Sequence, residues 1–152
     1  MSETLGMTYK NELYNALEKC QFIEETLKMC IFSAAEIARL QLSPHFPIKY
    51  RLEDISNLPL GKLVNIFSKI NNDTALHKAL RKITSARNAV AHQSLLFTLG
   101  ELQDEDHMTE KILTMKGIVA RATDAHNNVL SVRYALVRSL NDVKRTQAKT
   151  QS

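Results

Sequence analysis

Apolar residues recur at three- and four-residue steps through Met108, Ile112, Met115, Val119, Ala122, Val129, Val132, Leu136, Leu140 and Val143. That spacing holds them to one face of an α-helix. At 1.5 Å per residue an unbroken helix here is about 55 Å long, whereas a compact domain of this size has a radius of gyration of only about 15 Å. The stretch therefore demands an elongated bundle, or a bend near Gly117 or His126-Asn127-Asn128.

The rest of the chain follows the same rule. From about Thr8 to Leu42 the residues Leu13, Leu17, Cys20, Ile23, Leu27, Cys30/Ile31, Ala34 and Ala38 mark a long first helix, which Ser43-Pro44 ends. A loop through His45, Pro47 and Tyr50 leads to a second helix over Leu58 to Ile70. Asn57 or Ser56 is its cap, Pro59 stands near its first turn, and Leu63, Ile66/Phe67 and Ile70 are its buried side. Asp73 caps a third helix running to about Leu95, with Leu76, Leu80 and Ile83 inward. Leu95 to Asp106 reads as loop. With 4 glycines and 3 prolines in 152 residues, tight hairpins are few, and the plentiful Ala, Leu, Lys, Glu, Gln and Arg favour helix over a many-stranded β-sandwich or barrel. The expected fold is all-α, an elongated four- to five-helix up-down bundle, one domain over residues 1–152 with a loose polar tail from about 146.

Several function classes drop out. The greasiest stretch, Met29 to Leu42, is interrupted by Glu36 and Arg39, so no membrane span is expected, and the N-terminus lacks the order of a secretory signal. Cys20 and Cys30 match no zinc-finger spacing and read as reduced packing thiols. His45 and His107 have no partners at ligand spacing, so neither metal nor cofactor is expected. There is no phosphate-binding or dinucleotide-binding glycine loop and no nucleophile elbow. A cytoplasmic protein follows. The net charge of +4 favours a polyanionic partner without requiring one. Charge is segregated: Glu101, Asp104, Glu105, Asp106 and Glu110 fall in a stretch without Lys or Arg, and the sequence after it is basic.

One segment breaks its own pattern. On the third helix, 100° per residue places Arg87 about 20° from Leu76, between Leu80 and Ile83 in projection and with Val90 on the same side. A guanidinium in an apolar stripe needs a reason: a cleft, helix-end carbonyls, or a carboxylate such as Glu24 or Glu36 on the first helix. The other flank carries His77, Arg81, Ser85, Asn88 and His92 as a polar ridge. Lys78, Arg81, Lys82 and Arg87 add positive charge without a nearby acid, a face suited to phosphate. His77, Lys78, Arg81 and Lys82 are the candidate RNA-binding residues.

Arg87-Asn88-Ala89-Val90-Ala91-His92 resembles the signature of HEPN domains, an Arg and a His with four to six residues between them and a polar residue directly after the Arg. Its context is similar too: a helical bundle, a long first helix, the motif late in an internal helix, and another long helix after it. The specific part of the likeness is six residues long. The resemblance implies a metal-independent endoribonuclease, in many cases a toxin or defence effector, acting as a homodimer whose two motifs face each other. It implies His92 as the base that takes the ribose 2′-hydroxyl proton, Arg87 as the phosphate clamp and Asn88 as an orienting group. An antitoxin or other partner protein is also implied. HEPN toxins paired with a nucleotidyltransferase antitoxin usually carry Tyr two residues after the motif His; Ser94 stands there in this chain, so inactivation by that route is not implied. Other members of the family serve without catalysis, as modules for dimerisation or for binding a partner protein or nucleotide, and that is the alternative reading. Without it, Arg87 is a structural arginine, His92 a capping or solvated histidine, and Asn88 a surface residue. The long stripes of the first and last helices read first as ordinary core; their alanines, with Met108 and Met115, would also allow close or adaptable packing, which makes some of that surface a candidate for the dimer.

Overall fold

The computed structural model describes residues 2–42, 51–93 and 104–152. Among them are five helices and no strand: α1 (Ser2–Gln41), α2 (Leu52–Ser56), α3 (Leu60–Ile70), α4 (Thr74–Gln93) and α5 (Glu105–Thr150). The all-α class is as the periodicity required. The expected loop through His45, Pro47 and Tyr50 lies outside the described residues, as do Ser43-Pro44, Ser94 and most of the loop expected over Leu95 to Asp106.

Of the two geometries open to the last stretch, the elongated one is realised. α5 runs 46 residues without interruption through Gly117 and His126-Asn127-Asn128, about 69 Å at the ordinary helical rise. It begins where its acids put it. The Asp104 carboxylate accepts from the backbone N–H groups of Asp106 and His107 at 3.1 and 3.2 Å. Glu105 and Asp106 occupy the first turn, where negative charge meets the positive end of the helix dipole. Glu105 and Asp106 are therefore helical rather than loop.

The tail from 146 is also helical, to Thr150, where a loose end was expected. It adds residues to a helix already nucleated, so each needs only propagation. The Gln147 side-chain amide also donates to the carbonyl of Leu40, one of the last-turn acceptors of α1 that no residue of its own helix can satisfy.

That contact fixes the direction of the long pair. Thr26 meets His126, Cys30 Sγ donates to the Val129 carbonyl at 3.8 Å, and Leu40 meets Gln147, so α1 and α5 run parallel. α4 runs against both: Leu76 at its start shares a core with Leu27 and Cys30, and Val90 near its end shares one with Tyr9 and Ala16. α3 packs antiparallel to α4. Alternation of direction thus holds from α3 through α5, while α1 and α3 point the same way.

The core has two parts. Cys20, Ile23, Leu27, Phe67, Leu80, Ala122 and Val129 belong to the larger, and Tyr9, Ala16, Val90, Met108, Ile112, Met115 and Ile118 form the smaller. Met108 and Met115 are therefore packed inside their own bundle and are not part of any dimer surface. Burial pushes the Cys20 thiol up to about 11 and the Cys30 thiol up to about 12, as inert packing thiols should behave.

Thr26 Oγ1 donates to the Phe22 carbonyl at 2.7 Å and stands 3.0 Å from His126 Nε2. Its one proton is thereby used, so Nε2 carries a hydrogen and donates. The imidazole stacks on Phe22 at 6.0 Å, with the Lys19 ammonium 5.6 Å from that ring. Burial first, then the Lys19 charge, lowers the His126 pKa below 6.5. A base with a depressed folded-state pKa contributes stability above its unfolded value and loses it as pH falls through the folded one. The urea midpoint is therefore expected to fall as pH drops from 7.5 towards 5, and to fall less in His126→Gln, measured by circular dichroism. Equal slopes in the two proteins would remove His126 as the cause.

Candidate functional site

α3 and α4 form a hairpin whose turn is tied by side chains. The Asp73 carboxylate accepts from the Leu76 N–H at 3.0 Å, as expected of a cap, and Asn71 Oδ1 accepts from the Asp73 N–H at 2.9 Å. The same Asn71 oxygen lies 3.2 Å from His77 Nε2, which must donate. The Phe67 and His77 rings meet edge to face, centroids 6.0 Å apart and planes at 85°.

His77 is consequently only 6% exposed, which corrects its placement on a solvated ridge. Residues four apart drift by about 40° around a helix. The ridge therefore turns towards the apolar side at its α4 N-terminal end, and α3 covers His77 there. It is a packing residue, without access to RNA.

Further along, the hairpin opens into a groove of about 520 Å³. Lys62 and Asn65 of α3 face Arg81, Thr84, Ser85, Arg87 and Asn88 of α4 across it. The helices approach closely at Gly61, where an added Cβ would lie 3.4 Å from Thr84 Cγ2. α3 begins level with Thr84, so the stripe of Leu76, Leu80 and Ile83 loses the cover of α3 at the next turn, before Val90 is buried in the smaller core. Arg87 is the residue in that place. It is half-buried, its guanidinium lies 3.4 Å from Asn88 Oδ1, and its charge partly offsets the upward push of burial on Cys20.

The carboxylates that would have explained Arg87 as an internal ion pair are not used for it. Glu36 bonds Arg39 at 2.9 Å, and among the described residues no acid lies within ion-pair distance of Arg87. Among the described residues the groove lining holds three cations, Lys62, Arg81 and Arg87, and no acid. Lys62 and Asn65 were absent from the residues singled out by sequence. Their only signal is that they fall on α3 positions pointing away from buried Leu60, Leu63, Val64 and Phe67.

The remaining candidates separate. Lys78 and Lys82 are exposed and line a second groove, against α5, and Asn88 is an exposed member of the first. His92 is exposed in the last turn of α4 and lines neither groove. Within one straight helix Arg87 and His92 differ by about 140° and 7.5 Å, so a single chain does not bring them onto one phosphate.

Fold and groove define an all-α helical protein with a cation-lined cleft beside a long-helix pair. No family model, curated protein or solved structure matches the chain. Among the described residues no group of His, Cys, Asp and Glu is arranged to hold a metal ion, and no helix is long and apolar enough to cross a membrane.

Proposed function

We propose that this chain is a metal-independent endoribonuclease of the HEPN type, acting as a homodimer in which Arg87 of one chain works with His92 of the other. The observation that carries this reading is Arg87, without an ion pair to any described residue, in a groove whose described lining holds no acid. A guanidinium there has phosphate as its natural partner, since its planar fork matches two phosphate oxygens. The divergence of Arg87 and His92 on one helix makes a twofold axis the simple way to converge them.

The chemistry needs only these groups. His92 accepts the 2′-hydroxyl proton, the 2′-oxygen bonds to the adjacent phosphorus, and the bond from phosphorus to the 5′-oxygen breaks. The products are a 2′,3′-cyclic phosphate and a 5′-hydroxyl, the latter protonated by the imidazolium or by water. Arg87 meets the charge that grows on the non-bridging oxygens, and Asn88 holds the guanidinium in place.

Purified protein is expected to cleave single-stranded RNA in the presence of EDTA and to leave cyclic phosphate ends, read by gel and mass spectrometry. No cleavage across RNAs of diverse sequence, or cleavage unchanged in Arg87→Ala and His92→Ala, would end the proposal.

A further inference from the structure

α4 has a groove on each flank. The second, of about 400 Å³, is lined by Lys78 and Lys82 of α4 and by Arg121, Asp124 and Asn128 of α5. Lys78, Lys82 and Arg121 are exposed, and none forms an ion pair with a described residue. Against the carboxylate of Asp124 they leave a net charge of +2 among the described residues of the lining. Arg81 and Lys82 are consecutive residues, yet one lines the α3 side and the other the α5 side. The two basic grooves therefore adjoin across the back of one helix, which is about 10 Å wide.

We infer that the α4–α5 groove is a second binding site for the sugar-phosphate backbone of RNA, so that a single strand crosses α4 from Arg121 to Lys62 and reaches Arg87. The choice of RNA as the polyanion rests on the ribonuclease reading; the site itself rests on the placement of Lys78, Lys82 and Arg121. Strands bound without sequence readout lie in such positively charged tracks. Lys82 and Arg121 hold phosphates, and Asn128 hydrogen-bonds phosphate or sugar oxygens. Lys82 and Arg87 differ by about 7.5 Å along the axis and about 140° around it, too far for one phosphate but within reach of successive phosphates of one strand that crosses the helix.

The test uses a fluorescent single-stranded 2′-O-methyl oligoribonucleotide, which cannot be cleaved by attack of its own 2′-oxygen, in anisotropy titrations over a range of salt. Lys82→Ala with Arg121→Ala is expected to lower the slope of log affinity against log salt by about 1.4, two contacts at about 0.7 each. Lys82→Glu with Arg121→Glu is expected to weaken binding at least about 10-fold. Asp124→Asn is expected to tighten it by about 2- to 5-fold. Arg138→Ala with Arg145→Ala removes the same charge from the far half of α5 and serves as control. No binding by wild type, unchanged binding in the groove variants, or equal loss in the control would overturn the inference. Groove-dependent binding by a protein that cleaves no unmodified RNA would leave this site standing and remove the ribonuclease reading instead.

Discussion

Mixing Arg87→Ala chains with His92→Ala chains is expected to restore about a quarter of wild-type RNA cleavage, although each variant alone is slower by about 100-fold or more. The fraction follows from twofold symmetry. Random exchange makes half of the dimers mixed, and each mixed dimer has one site with both substitutions and one with neither. Its intact site takes Arg87 from one chain and His92 from the other. Both side chains stand away from the fully buried core, Arg87 half-buried and His92 exposed, so the variants should melt near the wild-type temperature, with His92→Ala within about 0.5 kcal/mol. Restored cleavage after the chains exchange, together with a dimer in light scattering, would bear out the composite site. Two inactive variants that stay inactive on mixing would place both residues in one chain's site, and a monomer at high concentration would remove the composite arrangement.

Phe67→Ala is expected to have the largest effect on stability. Phe67 is 0% exposed, sits in the larger core with Leu63, Leu80 and Ile23, and makes an edge-to-face contact with His77. Truncation removes the transfer energy of the ring and leaves a cavity that helices on several sides cannot close, about 3–5 kcal/mol in all. For a chain of this length that is a fall in melting temperature of about 10 °C. The measurement is urea unfolding followed by circular dichroism, with the slope checked for two-state behaviour. A loss below about 1 kcal/mol would mean that the α3–α4 hairpin is not held by this contact. Lys82→Ala, on an exposed flank of the neighbouring helix, should stay within about 0.5 kcal/mol.

The predicted stripes differ from the buried ones in instructive ways. On α5 the sequence pointed to Val119, and the structure buries Ile118 and leaves Val119 partly covered. The stripe continues to Leu136, Leu140 and Val143, yet full burial stops at Val129, because beyond it α5 has mainly the end of α1 beside it. Ile70 was placed inward and is 40% exposed, since α3 ends there. α2 had no signal at all: five residues are too few to show a period. The Asp54 carboxylate accepting the Arg51 N–H at 3.0 Å is its local tie.

By itself the sequence determined the four long helices, the cap at Asp73 and the anomaly of Arg87, because helix periodicity and capping are properties of neighbours along the chain; the cap it placed at Asn57 or Ser56 is not used, since those residues close α2 and α3 starts after Pro59. Only the tertiary structure decided what surrounds each polar group. It buried His77 beneath Phe67, sent Lys78 and Lys82 to α5 while Arg81 turned to α3, and brought Lys62 and Asn65 to the groove. It also gave Arg87 its place, one turn beyond the start of α3. Each of these depends on where a different helix begins and ends beside the residue, and a separation of ten or more positions across a turn carries no period from which that can be read.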